Sequence, residues 1–311
     1  MNLFSTRDET EHREQRKKIA NAYSMESLLK MEPAIDECGK LLLRKMGKYA
    51  DRDEAVDLGT WLHYYAFDVV GALSFNNRFG FLEQGKDVDG IMQANAVILL
   101  YAALIGQVPK AHPFLLGNPL FPILVPQMES WNAVLAINAR TEVARGGEIE
   151  LEGGQGGEDM LSKWASLKAH DPSKMTTRDM VVHLSANVFA GADTTATALR
   201  AIIYFLVTNP AKMTNLQKEI DTADADGKLS NPVSDKETRT QLPYFNAVIK
   251  KAMRLHPSVG LLLERHVPVG GATICGKYLP EVGPLLASIL GYCSMIPNSS
   301  RIPKVLNLSA G

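Results

Sequence analysis

Asp193 and Thr194 place a carboxylic acid beside a hydroxyl in the middle of a long apolar segment, within residues 190–195 (AGADTT). A carboxylate or hydroxyl that is buried without a partner loses roughly 2–7 kcal/mol, so a purely structural helix has little reason to carry this pair. We therefore interpret the pair first as part of a functional site. The alternative, a helix with a polar stripe turned towards solvent, stays open on this motif alone.

A single long helix has to position this pair. The segment begins near Thr176, which forms a predicted capping box with Asp179 three residues later, and it ends at Asn209-Pro210. Apolar residues recur along it mostly at helical spacing: Met180, Val181, Leu184, Val188, Ala192, Leu199, Ile203 and Leu206. A threonine hydroxyl that bonds back to a carbonyl one turn earlier, together with Gly191, predicts a bend and a groove that can hold a small molecule.

Further helices and a strand region follow in an order that resembles a known family. These segments are residues 209–220, residues 242–257 (LPYFNAVIKKAMRLHP) and residues 263–268 (LERHVP) with Gly270-Gly271 after them. Together with the AGADTT segment they resemble the I helix, the K helix and the following strands of the cytochrome P-450 family of haem-thiolate monooxygenases. Residues 4–24 are similar to the C helix of that family. The resemblance spans residues 1–280 and is closest to fungal members.

The resemblance implies the fold class. The chain is expected to be mostly α, a partial cytochrome P-450 fold with the C to K helices and a few short strands, in which the N-terminal region and the haem-thiolate loop are missing. Residues 1–280 are expected to form this partial domain. Amphipathic patterns at residues 32–46 and 58–74 predict two of its helices.

The resemblance also implies a haem b cofactor and the residues that serve it. Asp193 and Thr194 match the acid and the alcohol that relay protons during oxygen activation. His12 and Arg16, one helical turn apart, match the pair that meets one haem propionate, and Arg265 matches the strand residue that meets the other. No residue of the chain is assigned as a metal ligand, and Thr195 is expected to be structural.

Two departures from the family pattern bear on activity. Where the K helix of the family has Glu-x-x-Arg, this chain has Lys251 and Arg254, which are expected to repel each other. The axial cysteine, which the family carries in a glycine-rich loop after Phe-x-x-Gly, is absent, since neither Cys275 nor Cys293 has that setting. Without a thiolate, haem iron lacks the electron donation that promotes cleavage of the oxygen–oxygen bond.

The family likeness ends at Pro280. A one-base shift of the reading frame permits Gly-Gly-Thr directly after this residue and forces Asp at Met295-Ile296. We therefore interpret residues 281–311 as a non-native, frame-shifted tail, which has no reason to complement the core. Its apolar residues are expected to be exposed: Leu285, Leu286, Ile289 and Leu290.

The predicted function is that of a fragment of a haem-dependent monooxygenase of fungal secondary metabolism. The intact parent is expected to insert one oxygen atom of O2 into an apolar organic substrate, while this chain is expected to be inactive because the axial cysteine loop is absent. The alternative is a non-catalytic helical remnant or an interaction protein, and haem content distinguishes the two.

The implied partners are an apolar small-molecule substrate and an NADPH-dependent reductase. Arg13, Lys17 and Lys18 are either a docking patch for an acidic reductase or a solvated surface. A net charge of −1 with 46% hydrophobic and 22% charged residues describes an ordinary core-forming chain and gives no reason to expect a nucleic-acid partner. The 3 cysteines lack CxxC or histidine pairing, so neither a disulfide framework nor a zinc site is predicted.

Membrane contact is expected only through an N-terminal anchor missing from the chain, or through the apolar loop that runs from Pro109 to Pro126. That loop alternatively packs on the core. Residues 96–108 form the longest apolar run and predict a core helix, because the run is too short and too interrupted to span a bilayer. The intact parent is expected at the cytosolic face of the endoplasmic reticulum membrane, and the fragment as a soluble intracellular protein.

Overall fold

The computed structural model describes residues 3, 6, 8–106, 108–115, 159–260, 263–274, 276–281 and 284–287. These residues are mostly helical and include a few short strands, so the predicted mostly-α fold class is confirmed. The chain divides into two compact units, Met1–Ala196 and Thr197–Gly311.

The first unit is built from helices, three of which begin at aspartate caps. Its helices are α1 Glu9–Ile19, α2 Met25–Lys30, α3 Glu32–Asp51, α4 Leu58–Phe75, α5 Phe81–Gln84, α6 Ile91–Ile105 and α7 Met160–His170. The side chains of Asp8, Asp57 and Asp159 accept backbone N–H groups at the starts of α1, α4 and α7. The helices predicted at 32–46 and 58–74 are confirmed, and α3 continues beyond 46 to Asp51.

The core of this unit is aromatic where α4 meets α5. Phe67 and Phe81 are fully buried, and their rings stack with centroids 4.9 Å apart. Asp68 is equally buried, and its carboxylate accepts the N–H groups of Gly80 (2.9 Å), Phe81 (3.2 Å) and Leu82 (2.8 Å). Because Gly80 has no side chain with which to cap α5, the cap comes from α4 instead.

The long helix α8 spans Thr177–Val207 and carries the AGADTT segment. Its predicted capping box is confirmed: the Asp179 N–H donates to Thr176 Oγ1 (3.1 Å), and the Thr176 N–H donates to Asp179 Oδ2 (3.1 Å). The helix continues without interruption through Gly191, and the predicted bend and groove stay predictions. A Cβ atom at this position would lie 3.0 Å from Val70 Cγ2, so the glycine allows α8 to approach α4 closely.

The second unit continues from the end of α8 with the two predicted helices, α9 Pro210–Ala225 and α11 Pro243–Leu255. Between them lies the short helix α10 Asp235–Gln241, which was not predicted. Leu206, Leu216 and Val248 join the end of α8, α9 and α11 in one apolar cluster. The carboxylate of Glu219 on α9 accepts the N–H groups of Tyr244 (2.7 Å) and Phe245 (2.9 Å), which fixes the start of α11 against α9.

The described strands are short and pair in twos. They are β1 Leu263–His266, β2 Ala272–Ile274, β3 Lys277–Leu279 and β4 Pro284–Ala287, with β1 antiparallel to β4 and β2 antiparallel to β3. Strand β4 belongs to the segment that we interpreted as a foreign tail, and its backbone pairing with β1 was not predicted. The side chains of β4 are not described and Ile289 and Leu290 lie outside the described residues, so the exposure of the tail stays a prediction.

The helix α6 differs from the core helix that we predicted for residues 96–108. Its buried residues, Ile91, Ala94 and Asn95, all lie near its start, whereas Leu100 and Leu104 are each 62% exposed. The expectation of a core helix is therefore wrong for its second half. A 3-10 turn over Pro109–Phe114 forms the start of the predicted apolar loop, and the rest of that loop from Leu116 onwards lies outside the described residues. Among the described helices, none has the length and apolar character needed to cross a membrane.

Candidate active site

The carboxylate of Asp193 lies where three helices of the first unit meet. His63 Nε2 on α4 lies 2.6 Å from Asp193 Oδ1, and Asn95 Nδ2 on α6 donates to Asp193 Oδ2. The Asp193 side chain is 22% exposed and that of His63 is 13% exposed. These contacts rule out the alternative of a polar stripe turned to solvent, because the acid faces two packed helices.

Both partners of Asp193 are anchored by their own surroundings. The ring of His63 packs on Phe67, with centroids 5.2 Å apart. Asn95 is 1% exposed, and its Nδ2 also lies within hydrogen-bond distance of the backbone oxygen of Phe189 (3.3 Å). The site is therefore held by packing on one side and by a backbone contact one turn before Asp193 on the other.

Thr194 points its hydroxyl back along the helix. Its Oγ1 donates to the backbone oxygen of Ala190 at 2.8 Å, which confirms the predicted bond to a carbonyl one turn earlier. Thr194 is half-buried, and its neighbours Ala190 and Thr195 are exposed. This face of α8 therefore carries small side chains and one hydroxyl, with the acid beside it on the helix.

The cationic candidates His12 and Arg16 lie one turn apart on α1. His12 is half-buried and Arg16 is exposed. The end of α1 and the turn after it are tied to α8 by Lys18, whose Nζ lies 3.4 Å from Asp179 Oδ2, and by Tyr23, whose hydroxyl donates to Asn187 Oδ1 at 2.5 Å.

The predicted docking patch is partly neutralised by neighbouring acids. Lys17 pairs with Glu14 at 2.9 Å on the exposed side of α1, and Lys18 pairs with Asp179. Arg13 is exposed. Surface pairs of this kind contribute little to stability, but they reduce the net positive charge that an acidic partner would meet.

Arg265 lies in β1, opposite Leu285 of β4. Its backbone position in a strand agrees with the strand predicted for residues 263–268. The side chain is not described, so its proposed contact with a propionate stays a prediction.

Cys38 is the one cysteine among the described residues, and its environment disfavours a thiolate. It is fully buried in α3, and burial, reinforced by the nearby Asp68 carboxylate, raises its pKa to about 12. Cys275 and Cys293 lie outside the described residues. The described part of the chain therefore supplies no cysteine suited to bind iron, and no group of three or more His, Cys, Asp and Glu side chains there is arranged to hold a metal ion.

Sequence reasoning missed His63 and Asn95. Both are polar residues in otherwise apolar stretches, His63 within WLHYYAF and Asn95 within MQANAVILL. A buried polar side chain requires a partner, and that requirement was the available signal. The local pattern does not say which distant residue provides the partner.

Comparison with known proteins places the chain beside fungal monooxygenases. The sequence pattern of the family described as Cytochrome P450 matches residues 2–281. A cytochrome P450 monooxygenase of Aspergillus terreus is 37% identical over 284 residues, covering 89% of this chain and 57% of the relative. The cytochrome P450 monooxygenase ACRTS1 of Alternaria alternata is 34% identical, and the match covers 85% of this chain and 70% of the relative. A pisatin demethylase of Fusarium vanettenii is 32% identical, and the match covers 90% of this chain and 54% of the relative.

Proposed function

Because the chain belongs to the cytochrome P450 family, we propose that it is part of a haem-dependent monooxygenase that inserts one oxygen atom of O2 into an apolar organic substrate. Relatives in Aspergillus terreus and Alternaria alternata are named monooxygenases, so the chain is by family an oxidoreductase. The chain spans little more than half the length of the Aspergillus relative, and the activity of a whole protein is therefore part of the proposal. The observation that supports it most directly is the acid and alcohol of Asp193 and Thr194 on α8 beside a face of small side chains.

The proposed haem site uses one face of α8 and two side chains of α1. The small residues Ala190 and Thr194 leave room on α8 for a flat macrocycle, and His12 and Arg16 offer two groups for a propionate. Arg265 is the proposed partner of the other propionate. When bound, haem supplies the redox chemistry of oxygen activation, for which no side chain of the protein is suited.

Asp193 and Thr194 have separate proposed roles in moving protons. The Thr194 hydroxyl holds a proton where it bonds to the Ala190 backbone oxygen, and the Asp193 carboxylate accepts and returns protons from the His63 side. Because side chains that are adjacent on one helix point in different directions, transfer of a proton between them requires bridging water or rotation of a side chain.

Residues 1–311 include no cysteine in the sequence setting that the family uses for its axial haem ligand. Neither Cys275 nor Cys293 follows a Phe-x-x-Gly segment, and the buried Cys38 has a pKa of about 12. We propose that residues 1–311 bind haem weakly, through apolar contact and the cationic groups, and do not turn over. A non-catalytic helical remnant is the alternative.

The segment 281–311 is proposed to be encoded in a shifted frame, with residues 1–280 as the family domain. The family match ends at residue 281, which supports a boundary at this point. Sequencing the transcript across Pro280 tests the proposal. We expect a one-base difference that restores a cysteine loop downstream, and a transcript that matches this chain to a natural stop, with no such loop encoded in any frame, would contradict it.

The proposed partners follow from the proposed reaction. Electrons come from NADPH through a reductase, and the substrate is an apolar small molecule of fungal secondary metabolism. The intact parent is proposed to work at the cytosolic face of the endoplasmic reticulum. The exposed Leu100 and Leu104 on α6 are consistent with contact to an apolar surface or an apolar ligand.

Haem titration of the purified chain, followed by reduction under carbon monoxide, tests the proposed state. We expect weak binding without a thiolate-type Soret band. His12→Ala and Arg16→Ala should each weaken haem binding about fivefold, the scale of a half-exposed charge contact, whereas Arg13→Ala on the same helix should not. Equal effects of all three variants would contradict the propionate assignment.

A thiolate-type band in the present chain would overturn the proposed inactivity. Its loss in Cys275→Ser or Cys293→Ser, with Cys38→Ser as the control, would then identify the ligand. Complete absence of haem binding would favour the non-catalytic alternative.

A further inference from the structure

We propose that His63 and Asn95 are positioning residues for Asp193, which together hold its carboxylate on the side of α8 that faces α4 and α6. The inference rests on the proposed proton-transfer role of Asp193. The two contacts that His63 and Asn95 make to the Asp193 carboxylate, here called the clamp, are a property of the folded chain without haem. Nothing in the local sequence around Asp193 indicates either residue.

The two contacts engage both oxygens of the carboxylate. His63 Nε2 lies 2.6 Å from Oδ1, and Asn95 Nδ2 donates to Oδ2. The partners come from different helices, so moving the carboxylate requires breaking two contacts at once. The site is largely shielded from water, with 13% exposure of the His63 side chain and 22% of the Asp193 side chain, and shielding strengthens such pairs relative to surface pairs.

The orientation of the Asn95 side-chain amide indicates that it is set by the Asp193 carboxylate. Its Nδ2 serves two acceptors, the Asp193 carboxylate and the Phe189 backbone oxygen. Its Oδ1 is buried and has no hydrogen-bond partner among the described residues. A buried acceptor without a partner costs free energy. We therefore infer that the amide keeps this orientation because its Nδ2 donates to the Asp193 carboxylate, which requires a donor more strongly than Oδ1 does.

The distance to His63 bears on which imidazole nitrogen carries a proton. Two lone pairs facing each other at 2.6 Å would repel, so the contact favours a hydrogen on Nε2, although the direction of that N–H departs from hydrogen-bond geometry. The ring lies against Phe67, which fixes its plane. His63 is therefore the neighbour from which a proton reaches Oδ1, and Asn95 holds the other oxygen in place.

Packing of His63 on Phe67 is the competing explanation for its position. In that case His63 would stay where it is without Asp193, and the two residues would contribute independently to stability. A double-mutant cycle separates the two explanations because it isolates the pairwise energy.

The cycle uses the full chain and urea unfolding of four proteins: the wild type, His63→Gln, Asp193→Asn and the double variant. We expect the effect of Asp193→Asn on the unfolding equilibrium constant to differ about tenfold between the wild-type background and the His63→Gln background. The matched control is Lys18→Gln, which breaks an ion pair of similar exposure at the start of the same helix. It should combine additively with Asp193→Asn, within about twofold.

Two further measurements keep the test valid if one variant folds poorly. The double variant Asn95→Asp with Asp193→Asn exchanges the two residue types and so restores the carboxylate–amide pair in reverse. This exchange variant should be more stable than Asn95→Asp alone. In spectra of histidine labelled with nitrogen-15, the His63 Nε2 signal should be that of a protonated nitrogen and should move on Asp193→Asn. The signals of His12 and His183 should stay in place.

Three results would each overturn the clamp. The first is that the effects of His63→Gln and Asp193→Asn on stability are additive. The others are a His63 nitrogen signal that does not move on Asp193→Asn, and an exchange variant that is no more stable than Asn95→Asp. None of these results depends on haem or turnover. Failure of the clamp would therefore leave the proposed monooxygenase function standing, and failure of haem binding would leave the clamp standing.

Discussion

Lys251 and Arg254 lie one turn apart on α11, both half-buried, and the charge of Arg254 disfavours the charge of Lys251. Burial lowers the pKa of Lys251, and the positive charge of Arg254 lowers it further. The repulsion predicted from the departure at this position is confirmed. The K helix of this chain therefore carries a like-charge pair where its family has an opposite-charge pair.

Replacing Lys251 by glutamate should stabilise the chain. The new carboxylate attracts Arg254 at helical spacing, and we expect a gain of about 0.2–0.5 kcal/mol in the free energy of unfolding, measured in urea. Lys251→Gln removes the repulsion without adding an attraction and should show a smaller gain. If glutamate is no better than glutamine, Arg254 does not face residue 251.

Removing the Asp68 carboxylate should be among the most destabilising substitutions in the first unit. Asp68→Ala leaves the buried N–H groups of Phe81 and Leu82 without an acceptor, and we expect a loss of about 2–4 kcal/mol. Asp57→Ala, which removes an exposed cap from α4, should cost only about 1 kcal/mol. Chemical denaturation of the two variants makes the comparison, and equal losses would show that α5 does not depend on Asp68.

Gly191→Ala should destabilise the chain although alanine favours helices. The new Cβ would lie 3.0 Å from Val70 Cγ2, and overpacking of this kind costs about 1–3 kcal/mol, more than the roughly 1 kcal/mol gained in helix propensity. In a Val70→Ala background the space is available, so the same substitution should become stabilising. Thermal midpoints of the four proteins test this reversal of sign, and its absence would show that α4 and α8 adjust freely.

His183 should make the chain less stable in mild acid. It is 3% exposed, and burial, opposed by Asp179 and reinforced by Lys18, lowers its pKa in the folded state. The unfolded chain then binds the proton more tightly, so the contribution of His183 is complete above its ordinary pKa of about 6.5 and is lost as the pH falls through the folded-state value. Urea unfolding at a series of pH values should show a flatter decline for His183→Phe than for the wild type. Parallel declines would mean that another group is responsible.

Local sequence signals were sufficient for most of the helices. The capping box of Thr176 and Asp179, the apolar periodicity of α8 and the prolines at the starts of α9 and α11 each act within a few residues, so the pattern alone predicted those elements. The prediction failed for α6, because an apolar run indicates only that a helix can be buried. Whether Leu100 and Leu104 are covered depends on what packs against them.

The sequence by itself determined the family, the long helix α8 and the positions on it of the acid and the alcohol that we propose to transfer protons, because motif and periodicity are properties of neighbouring residues. Only the tertiary structure decided that His63 and Asn95 meet Asp193. These residues are far apart in the chain, and the packing of α4 and α6 against α8 brings them together. A buried carboxylate must find partners, but which side chains serve depends on which helix faces meet, and that is a property of the whole fold.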